Sequence, residues 1–372
     1  MQSDLTRTAG PAAGKVRLIA LDAFRFFAAC CVVIYHYNLN FELGLGRWSA
    51  APERFYVMVD FFFILSGFVI ALSYGDRLST GAELRAYFVS RFARIYPLHV
   101  LTLAFLLAFI LTGELAGFRS NDPGQWDLSK VPAHLALVHA WGFYDRLYFN
   151  TPSWSISAEW FAYLLAPLMF MVGRRLSLVA GLGLAVMAII AFVLFRNWMG
   201  FVAPWTNATW DYGLFRCAPE FFAGSVLARA YRAGAFRFTP RWWMVWTLLG
   251  GVLVSLHFGW PDEIAVALFA ALVPVTALAE GGGEPSVLMS RTAGRLGDAS
   301  YAVYLLHMPM IIPMAFFLRR AHLMGTPTAG AIAVAYLVVL VGVSTLTHKY
   351  FESPMRRIIR DTLAPRRGVA RA

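Results

Sequence analysis

The stretch LDAFRFFAACCVVIYHY, residues 21–37, decides the fold, because it is long and apolar and yet carries ionisable side chains. The apolar run around it spans 18–39, and about 20 mainly apolar residues are enough to cross a bilayer as an α-helix. Asp22, Arg25 and His36 do not suit the apolar core of a cleavable signal peptide. We therefore predict a transmembrane helix that stays in the mature protein.

The rest of the chain has the same character. Of 372 residues, 59% are apolar and 14% are charged, whereas soluble domains carry about 25% charged residues. This composition excludes a soluble enzyme and predicts an all-α, polytopic membrane protein with about ten transmembrane helices. The run 131–143 is too short to be a span. Nine further spans are predicted, at 55–74, 96–112, 154–173, 176–196, 211–231, 242–259, 262–279, 299–319 and 329–349.

The distribution of Lys and Arg predicts the orientation. Ten spans place both termini on one side, and cytoplasmic segments hold most basic residues. With the termini inside, the inner segments hold 22 of the 32 Lys and Arg, the outer segments hold 8, and Arg25 and Arg216 fall within spans. We therefore predict a cytoplasmic N-terminal tail, 1–17, and a basic cytoplasmic C-terminal tail, 350–372.

Charge and cysteine usage argue against two other classes of protein. The net charge of +11 is interleaved with membrane segments, so it indicates topology and contact with membrane lipids, and no nucleic acid is expected. Cys30, Cys31 and Cys217 form neither a CxxC pair nor an even, spaced set. This spacing supports neither a disulfide framework nor a zinc site, and we expect no metal.

The first helix carries two ionisable groups on one face. Arg25 and His36 are eleven residues apart, which is within about 20° of whole turns, and about 16 Å along the axis. Ionisable groups inside a membrane are costly and usually functional. Two structural interpretations stay open: Arg25 extends to the interface with Asp22 as its partner, and His36 is a core histidine bonded to a neighbouring helix.

The next two spans add further polar side chains. Ser66-Gly67 lies midway along the second span, where close helix packing through small residues is the favoured interpretation. Arg91 and Arg94 lie one turn apart in the inner loop and at the start of the third span, which Pro97 opens. Such a pair can bind phosphate, although contact with lipid headgroups explains it equally well.

Carboxylates at the outer level can pair with His36. Glu159 lies about one turn into the fourth span, at the predicted depth of His36, and could hold the imidazole in one tautomer. The alternative places Glu159 near a helix N-terminus that Ser153 or Ser155 caps. Asp60, near the outer end of the second span, is a further candidate.

Two more spans contain ionisable groups. Arg216 and Glu220 stand at i and i+4, and an intramembrane ion pair is the simplest explanation for both. His307 is either a second functional histidine or a contact at the helix bend that Pro309 introduces. Pro354 is predicted to end the last helix.

Seven segments in register resemble the acyltransferase family 3 membrane proteins, over about residues 18–357. They are LDAFRFFAACCVVIYHY with its R-x10-H pair, VDFFFILSGFVI, SRFARIYPLH with its R-x-x-R, WSISAEW, RCAPEFFAG, ASYAVYLLHMP and YFESPMRR. The resemblance implies a bacterial inner-membrane enzyme whose transmembrane acyltransferase domain is 18–349. Such enzymes move an acyl group, usually acetyl, from cytoplasmic acyl-coenzyme A (acetyl-CoA) to a hydroxyl of a glycan or lipid-linked glycan.

The resemblance also implies roles for the polar residues. His36 would act as general base or accept the acyl group transiently, with Glu159 or Asp60 orienting it. Arg25 and the pair Arg91 and Arg94 would hold the phosphates of coenzyme A. A proton-coupled secondary transporter of a small polar or anionic solute is the alternative, since buried His, Glu, Asp and Arg suit it as well. The sequence leaves the oligomeric state open.

Overall fold

The computed structural model describes residues 17–117 and 122–363, and within these ranges the chain is helical without a β-strand. The predicted N-terminal tail, apart from Arg17, and the last part of the predicted C-terminal tail therefore lie outside the described residues, which omit 1–16 and 364–372. The helices are α1 (Ile19–Asn40), α2 (Ala51–Arg54), α3 (Met58–Tyr74), α4 (Gly81–Leu115), α5 (Val131–Leu135), α6 (Trp154–Arg175), α7 (Leu178–Trp198), α8 (Gly213–Arg232), α9 (Trp242–His257), α10 (Asp262–Gly281), α11 (Arg291–Arg320), α12 (Pro327–Thr347) and α13 (Ser353–Leu363).

Eight helical segments in the described ranges are long and apolar enough to cross a membrane. They coincide with eight of the predicted spans, which confirms an all-α, polytopic membrane protein. The other two predicted spans correspond to α8 and to α9, a shorter apolar helix of 16 residues. The count of ten spans and the side on which the termini lie stay predictions. Segment 131–143 contains only the five-residue α5, so its rejection as a span is confirmed.

Helix α4 begins fifteen residues before the predicted span, and this is a correction to the sequence interpretation. Thr80 and Glu83 form a capping box that starts the helix at Gly81, and Pro97 lies inside it. Its 35 residues extend about 52 Å, more than the roughly 30 Å of bilayer hydrocarbon. Arg91 and Arg94 therefore lie in the body of a helix and not in a loop before one.

Helices α3 and α8 cross at very short distance. A Cβ on Gly67 would lie 1.9 Å from the carbonyl oxygen of Phe221, and a Cβ on Gly224 would lie 2.0 Å from that of Ile64. Only glycine permits backbones to approach so closely. The interpretation of Gly67 as a packing residue is confirmed.

Helices α1 and α11 run alongside each other in the same direction. Early in both helices, Arg25 donates to Ser300, and further along the rings of His36 and His307 are in contact. A Cβ on Gly297 would lie 2.6 Å from the Cβ of Asp22. A glycine thus lets α1 lie directly against α11 and fixes which residues of the two helices face each other.

Pro354 does not end the last helix, in contrast to the prediction. A π-helical turn, His348–Glu352, follows α12, and α13 continues from Ser353. Glu352 is fully buried within this turn and accepts from Arg94, which ties the end of the chain to α4. The first part of the predicted C-terminal tail is therefore a helix that packs on α4.

The described part of the segment between α4 and α6 packs against the helical bundle. In its described part, 122–153, short helical turns flank α5. Asn150 donates through Nδ2 to Thr102 Oγ1 at 3.2 Å and to the carbonyl of Leu305 at 3.0 Å. Asn150 thereby anchors the segment to both α4 and α11.

Candidate active site

A cavity of about 130 Å³ lies among α1, α3, α4, α6 and α11. It brings together five of the eleven side chains that the sequence singled out, and these come from four different helices. The five are Arg25, Ser66, Arg91, Arg94 and Glu159. Tyrosines and apolar side chains form most of the remaining wall.

Arg91 is the cavity arginine with no carboxylate within 4.0 Å in the described part of the chain. Its Nη2 donates to Ser90 Oγ at 3.0 Å, while its Nε is buried without a hydrogen-bond partner. The guanidinium carbon lies 5.5 Å from the ring centre of Tyr74 and 5.9 Å from that of Tyr163. An anion entering the cavity would therefore meet a positive charge that no protein carboxylate neutralises.

The two other arginines are each held by a carboxylate. Arg25 contacts Asp22 at 3.0 Å, and its Nε donates to Ser300 Oγ at 2.8 Å. Arg94 forms a salt bridge with the buried Glu352. The pairing of Arg25 with Asp22 that the sequence left open is present, and both guanidiniums are fixed in position at the cavity wall.

Glu159 accepts two hydrogen bonds inside the cavity. Ser66 Oγ donates at 2.5 Å and the Tyr163 hydroxyl donates at 2.6 Å. Ser66 therefore donates a hydrogen bond, whereas its neighbour Gly67 serves the packing of two helices. Ser153 does not cap α6 with its side chain, so the capping interpretation is wrong for that residue.

His36 does not pair with Glu159 as the sequence suggested. No hydrogen bond joins the two among the described residues, because Glu159 bonds to Ser66 and Tyr163 instead. The neighbour of His36 is His307, with ring centres 4.9 Å apart. His307 is fully buried, and although carbonyls of its preceding turn are close, neither ring nitrogen makes a hydrogen bond of normal geometry.

Tyr304 connects the cavity with the two histidines. It lines the cavity, and its ring centre lies 5.9 Å from that of His307. Its hydroxyl lies 2.8 Å from Ser155 Oγ. Ser300, Tyr304 and His307 occupy positions i, i+4 and i+7 on α11, so they form one row facing α1. Tyr304 was not among the residues predicted from the sequence, although the i, i+4, i+7 spacing places it on the same helix face as Ser300 and His307.

The prediction that Arg216 pairs with Glu220 is wrong. Arg216 instead binds Asp60 of α3 with two hydrogen bonds, of 2.7 and 2.8 Å, and both side chains are buried. Two parallel N–H···O bonds require a carboxylate facing the guanidinium edge-on, which a neighbour on another helix provides here. Asp60 is therefore occupied structurally and does not orient His36.

Glu220 lies close to Asp60 rather than to a donor. No donor in the described residues reaches either oxygen of Glu220, and the contact of the two carboxyl groups becomes a hydrogen bond only when one is protonated. Glu220 is thus a buried member of the Asp60–Arg216 group.

Three histidines that the sequence analysis did not select meet outside the cavity. His99 of α4, His134 of α5 and His139 are all buried. One ring nitrogen of each lies within 4.8 Å of the other two. No spacing in the sequence indicates this cluster, because its members come from α4 and from the segment that folds back over it.

Comparisons with known proteins place these features in a family. A family model described as an acyltransferase domain matches residues 18–348. The chain is 30% identical to acyltransferase MdmB of Streptomyces mycarofaciens, over 96% of this chain and 95% of that protein. It is 28% identical to nodulation protein 10 of Rhizobium leguminosarum bv. viciae, over 77% of this chain and 81% of that protein.

A more distant relative is the putative peptidoglycan O-acetyltransferase YrhL of Bacillus subtilis (strain 168), 23% identical over 90% of this chain and 54% of that protein. No solved structure matches significantly. The matched region contains both the arginine-lined cavity and the two facing histidines. The chain therefore belongs to the acyltransferase family 3 membrane proteins, and it is an acyltransferase rather than the transporter that was the alternative.

Proposed function

We propose that this protein transfers an acyl group, an acetyl group in the simplest case, from acyl-CoA to a hydroxyl of an exported or cell-envelope carbohydrate. The observation that carries the proposal is Arg91, a cavity guanidinium without a carboxylate partner in the described ranges. The name of the peptidoglycan O-acetyltransferase relative supports a carbohydrate acceptor. The proposed location is the inner membrane of a bacterium, with the arginines toward the cytoplasm.

The donor end of the site is the arginine-lined part of the cavity. The Nε–H of Arg91 has no hydrogen-bond partner among the described residues, and arginine binds a phosphate group, such as those of coenzyme A, through two parallel hydrogen bonds. Arg25 and Arg94 are held by Asp22 and Glu352, so they contribute fixed positive charge without moving. Because Asp22 and Glu352 offset the charges of Arg25 and Arg94, three guanidinium groups can line one small cavity.

The acceptor end is His36. His36 as a whole residue is partly exposed, whereas His307 beside it is fully buried, so we take His36 as the histidine that a substrate reaches. We propose that His36 takes the proton of the acceptor hydroxyl as the oxygen attacks the thioester carbonyl. The carbon–sulfur bond then breaks, the thiolate of coenzyme A leaves, and the proton passes to it. His307 positions the His36 ring.

The two ends lie within reach of one substrate. Arg25 and His36 are about 16 Å apart along α1, from the helix rise, which is comparable to the pantetheine arm. The row Ser300, Tyr304 and His307 on α11 follows the same direction. The thioester would therefore lie close to His36 while the phosphates contact the arginines.

Thiol release from acetyl-CoA by the purified full-length protein in detergent, with crude envelope glycan as acceptor, tests the proposal. We expect His36→Ala to lower kcat by about 10²- to 10⁴-fold, as for loss of a general base. Arg91→Ala should raise KM for acetyl-CoA by about 10-fold or more, since a charged hydrogen bond contributes about 1.5–3 kcal/mol.

Matched controls are available on the same elements. Arg85→Ala removes an exposed arginine of α4, and His257→Ala removes an exposed histidine, so both should keep wild-type kinetics. Equal KM values for Arg91→Ala and Arg85→Ala would contradict the donor site. Recovery of a labelled acyl group covalently on His36 would replace the general-base step with an acyl-enzyme.

A further inference from the structure

The histidine cluster lies apart from the proposed acyl-transfer path. His99, His134 and His139 are at most 4% exposed, and their rings are nearly parallel. The ring centres of His134 and His139 are 3.9 Å apart, and those of His99 and His139 are 5.7 Å apart. Three polar rings are thus stacked in a buried place between α4 and the segment that covers it.

The hydrogen bonds leave ring nitrogens free toward one another. Nε2 of His99 lies 2.9 Å from the carbonyl oxygen of His134, so it carries the hydrogen and leaves a lone pair on Nδ1. Nε2 of His139 lies 3.1 Å from Ser153 Oγ. Nδ1 of His99, Nδ1 of His139 and both ring nitrogens of His134 are buried and make no hydrogen bond of normal geometry among the described residues, although the carbonyl of Ala133 is close to His139.

Four unpartnered buried nitrogens in one place call for a ligand. Leaving a buried polar atom without a hydrogen bond is costly, and native structures contain few such atoms. A neutral imidazole carries one N–H and one lone pair, so each of the three rings can offer a lone pair to a ligand. The ligand must therefore accept electron pairs from several neutral imidazoles.

A transition-metal ion has this property. Zinc–nitrogen bonds of about 2.0–2.1 Å in a tetrahedral site place ligand nitrogens about 3.3 Å apart. The ligand nitrogens now lie within 4.8 Å of one another, and the nearly parallel rings must turn toward a common point to reach that separation. Metal-bound histidines usually donate their other ring N–H to a carbonyl or another oxygen, as His99 does to the carbonyl of His134.

We propose that His99, His134 and His139 bind one divalent transition-metal ion of the Zn²⁺ class. The ion joins α4 to residues 131–153 and so holds the covering segment on the helical bundle. Three imidazoles leave a fourth position for water or another small ligand. This proposal is independent of the acyl-transfer proposal and replaces the expectation of no metal, which rested on cysteines alone.

Metal binding by the full-length protein in detergent tests this site directly. The protein is stripped with a chelator, equilibrated with Zn²⁺ alone, freed of unbound ion and analysed for metal content. We expect about one equivalent in the wild type and in His257→Ala, which removes an exposed histidine elsewhere. His139→Ala should lower the affinity at least 10-fold, and a wild type that retains no Zn²⁺ would overturn the proposal.

A second measurement covers a variant that folds poorly. His139→Gln retains a polar side chain of similar size, and its folding is checked by size-exclusion chromatography. Zn²⁺ should raise the unfolding temperature of the wild type and not that of His139→Gln. Co²⁺ should give the visible absorption of a tetrahedral site in the wild type only. Equal Zn²⁺ content in the wild type and His139→Gln would show that the ion binds elsewhere and would refute the site.

Discussion

Arg216 and Arg91 both lie inside the helical bundle, but they differ in their partners. Arg216 faces Asp60 with two short hydrogen bonds and is 1% exposed. Arg91 contacts tyrosine rings and has no carboxylate partner in the described residues. A fully paired guanidinium joins helices, whereas an unpaired one beside a cavity is available to a ligand. The side-chain partner, not the residue type, separates the two roles.

Arg216→Leu should destabilise the protein strongly. The substitution leaves Asp60 buried without a counter-charge, and breaking a buried ion pair costs about 3–5 kcal/mol. The Arg216→Leu/Asp60→Leu double variant should recover part of that loss, because the Asp60 carboxylate is removed with its counter-charge and Glu220 alone remains of the group. Thermal unfolding of the purified proteins in one detergent measures both effects, and a double variant less stable than the single one would disprove this structural role.

At the scale of the element, the contact of α1 with α11 sets the geometry of the proposed site. Gly297 permits the contact, and its carbonyl accepts from Arg25 at 3.0 Å. Further along, the same contact places His36 against His307. A small displacement of α11 would therefore change both ends of the site together.

Gly297→Ala should lower acyl transfer at least tenfold. The new Cβ would lie 2.6 Å from the Cβ of Asp22, so α1 must move, and such overpacking costs about 1–3 kcal/mol. Thiol release and the unfolding temperature are the measurements. Gly294→Ala, one turn earlier, is the matched control, since its Cβ would make only ordinary contacts at 3.5 Å or more. A Gly297→Ala enzyme with wild-type rate would show that the contact does not set the site.

Helix α4 shows what hydropathy can and cannot predict about an element. The apolar part of the helix was visible in the sequence, but its first fifteen residues carry four charged side chains and lay outside the predicted span. Thr80 and Glu83 have the spacing of a capping box, so the true start was detectable from local chemistry. Pro97 wrongly suggested that the helix begins near residue 97. A proline is tolerated inside a long helix that neighbouring helices support.

At the scale of the whole molecule, orientation is the property still to be measured. The excess of basic residues predicts that the loop after α1 lies outside and the loop after α8 lies inside. Trp48→Cys, at a position 82% exposed, should react with a membrane-impermeant maleimide in spheroplasts of a bacterial host. Ala235→Cys, also exposed, should react only after permeabilisation. The unsubstituted protein, with its native cysteines, gives the background labelling. Labelling of Ala235→Cys in intact spheroplasts, with Trp48→Cys labelled only after permeabilisation, would contradict the predicted topology.

The sequence predicted the membrane fold, the family and the residues of the arginine cavity. It failed where partners come from distant segments. Asp60 and Arg216 are 156 positions apart, so a neighbour at i+4 was the wrong partner for Arg216. The cluster of His99, His134 and His139 could not be predicted from the sequence, because these residues come together only through the packing of the later segment on α4. Partner identity required the packed structure, whereas the presence of ionisable residues within apolar helices was visible in the sequence.

The π-helical turn His348–Glu352 has a consequence for how this chain tolerates insertions and deletions. Each residue added to or removed from a helix rotates everything after it by about 100°. Loss of one residue here would restore a regular α-helix and swing α13 around the bundle. Glu352, now paired with Arg94 of α4, would then point away from it. The length of this short stretch is thus under tighter constraint than the identity of most residues in it.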